Sequence, residues 1–113
     1  MALANGPTIT SPTVGQVLAQ AVFPTPRHVR AKILITTTYG FDALLQMLDG
    51  EGRILADDIV LKVGQSMWDS PAYGPFILPA NSRLQVVMRH TPETMPSPLE
   101  VQASIFYTDW AER

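Results

Sequence analysis

The residues able to do chemistry in this chain are few and scattered. There are two histidines, His28 and His90, no cysteine, and ten acidic against eight basic side chains. The lack of cysteine excludes thiolate catalysis, a disulfide framework and Cys-based zinc or iron–sulfur sites. Each histidine lies at the end of an extended segment, beside arginine-bearing sequence. An imidazole in that setting is expected to be solvated or bonded to backbone, so neither is read as a metal ligand or a catalytic base. No G-x-S-x-G elbow, P-loop, dinucleotide fingerprint or H-E-x-x-H motif occurs. Asp49, Glu51, Asp57 and Asp58 lie close together in sequence, and calcium favours clustered oxygen ligands. However, Asp49-Gly50-Glu51-Gly52 lacks the acid that an EF-hand requires at its twelfth loop position, and two polar turns are expected instead. A compact acid site would have to use Asp57 and Asp58, and nothing else in the sequence converges on them. The expectation is a protein that is not an enzyme and carries no metal or other cofactor.

Two further groups invite a binding reading. Arg27, Arg30 and Lys32 form the one basic cluster. With a formal net charge of −2 and no aromatic stacking platform beside it, this cluster does not support nucleic-acid binding. It reads as a solvated strand face or as a surface for an acidic partner. The stretch Gly64–Phe76 carries Trp68 and Tyr73. Their flat faces could cap the core, meet another subunit or stack on a sugar.

The elements that must position these residues are read from periodicity. The 46% apolar and 16% charged composition is too hydrophobic for disorder. No apolar run approaches the ~20 residues that cross a bilayer, and the start lacks a signal-peptide pattern. Residues 1–27 hold Pro7, Pro12, Pro24 and Pro26 and one charge, Arg27. Proline fixes φ and extends its predecessor, so this segment is expected to be an extended N-terminal arm, with 14–23 a strand or a short helical turn. Its Ile9, Val14, Val17, Leu18, Val22 and Phe23 are too apolar for water. They are expected to lie on a neighbouring chain, where arm exchange would build a homo-oligomer, most naturally a trimer.

From His28 the period becomes two. Val29, Ala31, Ile33, Ile35 and Thr37 share one face of a strand. Phe41–Leu48 is a second strand, with Arg53–Ala56 returning across the Asp49–Gly52 turn. Ile59, Leu61 and Val63 point inward from a third. Residues 64–75 read as a loop before a short Phe76–Leu78 strand. Leu84, Val86 and Met88 define another strand, 91–98 a stiff proline loop, and Leu99, Val101, Ala103, Ile105 and Tyr107 the last strand. Many short strands and no long helix indicate an all-β protein. The expected architecture is an antiparallel β-sandwich, jelly-roll-like, spanning 28–113 and preceded by the arm.

The turn and strand Leu78-Pro79-Ala80-Asn81-Ser82-Arg83-Leu84-Gln85-Val86, together with the closing strand Leu99-Glu100-Val101-Gln102-Ala103-Ser104-Ile105-Phe106-Tyr107, resembles small bacteriophage virion proteins over the C-terminal third. The resemblance implies a structural protein made in the host cytoplasm and carried in the virion. Its expected role is capsid decoration or cement, stabilising the particle by binding between subunits of the major capsid protein or other virion chains, without nucleic-acid or membrane partners. The alternative is a carbohydrate-binding module or receptor-binding fibre domain. The residues expected to meet partners are Ile9, Val14, Phe23, Trp68 and Tyr73.

Overall fold

The computed structural model describes residues 2–91 and 97–109. Its regular elements are all β-strands: β1 (Ala2–Asn5), β2 (Ile9–Thr10), β3 (Val17–Phe23), β4 (Arg27–Thr37), β5 (Phe41–Leu48), β6 (Ile59–Val63), β7 (Ser66–Asp69), β8 (Tyr73–Leu78), β9 (Ser82–His90) and β10 (Glu100–Asp109). One antiparallel sheet runs β1-β10-β4-β7, with β2 also on β10 and β8 also on β4; the other runs β3-β9-β5-β6. A single buried cluster joins the two, so the molecule is the expected all-β sandwich.

Alternation explains the inner faces. On β4, Val29, Ala31, Ile33, Ile35 and Thr37 are all buried, and on β10 Val101, Ala103 and Ile105 are buried beside them. Their register is continuous, with Ile33 opposite Ile105 and Ile35 opposite Ala103. Leu84, Val86 and Met88 of β9 and Leu61 and Val63 of β6 supply the facing layer. Each large apolar side chain removed from water contributes about 1.5–3 kcal/mol, which offsets the cost of ordering the backbone.

The separate arm expected over residues 1–27 is corrected by strand pairing. Ala2–Asn5 and Ile9–Thr10 pair with β10, while β3 pairs with β9 from Val17↔Val87 to Phe23↔Ser82. The segment thus supplies strands to both sheets of its own sandwich. Phe23 is 0% exposed, with its ring edge-on to Tyr107 at 5.0 Å, and it cannot meet a partner. Ile9 packs part-buried on the same core. The physical reason lies in where the prolines fall. Pro7, Pro12, Pro24 and Pro26 stand in the connections, where a missing N–H costs no ladder bond. The helical look of 14–23 comes from a bulge between Val17 and Ala19, which buries the neighbours Leu18 and Ala19 together.

Two other expectations change. The loop expected over 64–75 contains β7 and the first half of β8, and both strands pair with β4. The returning arm at Arg53–Ala56 shrinks to a bridge between Leu48 and Ile54, and β5 is flanked by β6 on one side and β9 on the other. The prolines Pro92 and Pro96 of the expected stiff loop, and tail residues 110–113, lie outside the described residues.

Gly6 shows how closely the N-terminal segment fits. Its N–H donates to the Ala103 carbonyl at 2.8 Å, and a Cβ at this position would collide with the Leu18 carbonyl oxygen. Gly6→Ala is therefore expected to cost about 1–3 kcal/mol through overpacking, measurable by urea unfolding. Deleting residues 1–23 is expected to abolish cooperative unfolding altogether, whereas a dispensable arm would leave the transition in place.

Candidate functional site

At one end of the second sheet, three ionisable side chains from three neighbouring strands converge. Asp42 lies one residue into β5, Lys62 near the end of β6 and His90 at the end of β9. Register brings them together: Asp42 is opposite Lys62 on one side and opposite His90 on the other. Lys62 Nζ donates to Asp42 Oδ2 at 3.2 Å, and His90 Nδ1 lies 3.4 Å from the same oxygen. Both contacts use Oδ2, so Oδ1 keeps its acceptor capacity. The cluster sits in an open cleft of about 810 Å³, which Val14, Gly40, Gly64 and Thr91 also line.

The sequence builds this end from small residues. Gly40 packs beside the Val63 carbonyl oxygen, where a Cβ would stand 3.0 Å away, and Gly64 adds no side chain to the rim. The electrostatics favour an ionised carboxylate. Burial pushes the Asp42 pKa up, but the hydrogen bonds and charges of Lys62 and His90 outweigh it and hold the pKa below its ordinary 3.8. An imidazole steadied through Nδ1 presents Nε2 to a ligand. The arrangement can therefore accept hydrogen bonds at the carboxylate, donate them from the ammonium, and meet a ligand at the imidazole Nε2, whose donor or acceptor role follows the tautomer.

The residues singled out from the sequence are dispersed. Val14, 65% exposed, lies on the rim of the cleft. Trp68 is opposite the fully buried Ile35, Tyr73 is opposite Ala31, and both pack against the core. Their rings lie part-buried over the interior. Ile9 and Phe23 belong to the core region described above. The basic cluster is neutralised: Arg27 bonds Asp109 at 2.8 Å and lies over the Phe23 and Tyr107 rings, and Lys32 meets Asp69 at 3.1 Å. Asp49 accepts from the backbone N–H groups of Arg53 and Glu51, each at 2.9 Å, and closes a polar turn. Sequence reasoning set His90 aside and did not single out Asp42 or Lys62. The available signal was the pairing of Phe41–Leu48 with Ile59–Val63, which puts Asp42 across from Lys62.

No family model and no curated protein matches the chain. Among solved structures it is similar to the enzymatically active domain of tailspike protein 4 from bacteriophage CBA120. The identity is 17% and the TM-score 0.49, over 91% of this chain and 15% of that chain. The chain thus spans a small part of the structure it matches. The expectation that the protein is not an enzyme is withdrawn on this finding, because the similar domain is described as enzymatically active.

The folded pKa of Asp42 lies below 3.8, so the contacts of its carboxylate, the Lys62 ion pair first among them, add stability above that pH. They lose it as pH falls through the lower folded value. Lys62 and His90 are mostly exposed, which holds the total to about 1 kcal/mol or less. Asp42→Asn is expected to lose that amount at neutral pH and to match the unsubstituted protein once the carboxyl is protonated. Urea unfolding across an acid pH series reads the difference.

Proposed function

We propose that the chain is a ligand-binding β-sandwich module of a bacteriophage particle. In this reading it holds a polyhydroxylated, glycan-type ligand in the cleft of Asp42, Lys62 and His90. The observation that carries the proposal is the convergence of a carboxylate acceptor, an ammonium donor and an imidazole on an open cleft of about 810 Å³. Ligand pockets commonly fall near this size. Each sugar hydroxyl both donates and accepts, so vicinal hydroxyls match a carboxylate with a free oxygen beside an ammonium and an imidazole. Exposed Val14 offers apolar surface to the C–H face of a ring, and Thr91 adds a hydroxyl.

The winding of the chain supports the same reading. With β1 and β2 counted as one strand, and β7 and β8 as one, the order is compatible with a jelly roll. That fold serves viral capsid and lectin domains alike. A fold carries no function by itself, so the weight rests on the cleft. The likeness of Leu78–Val86 and Leu99–Tyr107 to small virion proteins supports the particle setting. The cement role rested on an arm sheltered by neighbours. With that segment paired into its own sheets, the role has no observation behind it.

Titration of the full chain against a panel of neutral and acidic oligosaccharides, followed by NMR shifts, tests the proposal. Saturable shifts at Asp42, Lys62 and His90 are expected. Asp42→Ala should weaken binding at least tenfold without unfolding the protein, while Trp68→Ala should lower stability and leave the site intact. Shifts confined to other faces, or no saturation with any sugar, would overturn it.

A further inference from the structure

We propose that β6 is a pairing edge for a second copy of this chain, and that two chains join β6 to β6, antiparallel, about a twofold axis at Val60. The inference does not rest on the cleft ligand.

The sandwich has four sheet edges, and three are blunted. On the first sheet, β1 and β2 are separated by Gly6, Pro7 and Thr8, and β7 and β8 by a break containing Pro71, with Pro75 inside β8. On the second sheet, β3 carries the bulge at Val17/Ala19, and Gly6 presses on its Leu18 carbonyl oxygen. The fourth edge, β6, is different. Ile59–Val63 contains no proline and pairs with β5 in unbroken register. Among the described residues no strand lies on its other side. An uninterrupted free edge is a template for another strand.

The side chains select the occupant and the register. Asp58, Val60 and Lys62 share the outer face. Lys62 is opposite Asp42 and Val60 opposite Leu44, while Asp58 accepts from Gln46 at 3.2 Å. Val60 is 42% exposed. It ends an aliphatic row that crosses the sheet through Val17, Val87, Leu44 and Val60. Asp58 has no ion pair among the described residues; its Oδ2 accepts from Gln46, and its Oδ1 is buried without a hydrogen-bond partner there. With the twofold axis at Val60, this residue meets its own copy and each Asp58 stands opposite the partner's Lys62. On the inner face Ile59 stands opposite the partner's Leu61. Shifting the axis to Leu61 puts Val60 against Lys62 and leaves Asp58 without a cation. A self-complementary −, apolar, + strand is what an isologous interface needs, because residue i meets j while j meets i.

Sedimentation of the full chain over a concentration series, without sugar, tests the proposal. The expected mass rises from 12.4 kDa to twice that value. Asp58→Lys and Lys62→Asp should each weaken association at least tenfold. Mixing these two variants should restore it, because every opposed pair then carries opposite charges. Val60→Lys should also give a monomer, and it keeps the test decisive if Lys62→Asp does not fold by circular dichroism. A single-chain mass throughout, a trimer, or a dimer indifferent to Asp58→Lys and Val60→Lys would overturn the proposal. Loss of the dimer with sugar binding retained by Asp58→Lys would separate this interface from the cleft.

Discussion

Phe23 holds the two sheets of this protein together at the end where the chain crosses between them. Its ring, fully buried, meets the edge of Tyr107 at 5.0 Å. It therefore ties the last residue of β3, in one sheet, to β10, in the other. Arg27 then spans both rings and reaches Asp109. Take this contact away and β3 loses its deepest anchor, and with it the layer that Leu18 and Ala21 complete. The rest of the second sheet is built outward from β3, because β9 is flanked by β3 and β5, and β5 by β9 and β6.

Much of the fold was legible in the residues. The alternation of β4 named its buried face residue by residue, and that of β10 named Val101, Ala103 and Ile105, although Ser104 is buried as well. So did Ile59, Leu61 and Val63 on β6 and Leu84, Val86 and Met88 on β9. A strand with one face on the core writes its burial into the sequence with period two, whereas β9 also buries Gln85 and Val87 on its other face. The N-terminal segment was not legible for the same reason in reverse. Its strands are short, its prolines sit between them, and one bulge shifts the phase so that Leu18 and Ala19 are buried together. Apolar character said that the segment needed shelter, but not whose.

The candidate site was hidden by pairing. Asp42 and Lys62 are unremarkable alone, and only the β5–β6 register puts them opposite each other. Assigning Arg53–Ala56 as the returning strand displaced the true partner by several residues, and a carboxylate–ammonium contact disappeared from view. His90 was visible as a histidine at a strand end, but its contact with Asp42 spans 48 positions. Local sequence carries no record of that separation. Trp68 and Tyr73 drew attention because aromatics are conspicuous, yet strands opposite Ile35 and Ala31 turn them toward the interior.

The placement of proline and glycine at three of the four margins has a consequence for the protein in concentrated solution. Amyloid growth requires a surface that accepts a strand and then offers the same surface again. Among the described residues, β6 is the one edge on which the hydrogen-bonded ladder runs on unbroken, since Pro7, Pro71, Pro75 and the crowded carbonyl of Leu18 interrupt the others. Native molecules that joined through that edge would use it up at the first addition and offer no further template of the same kind, which is the opposite of fibril growth.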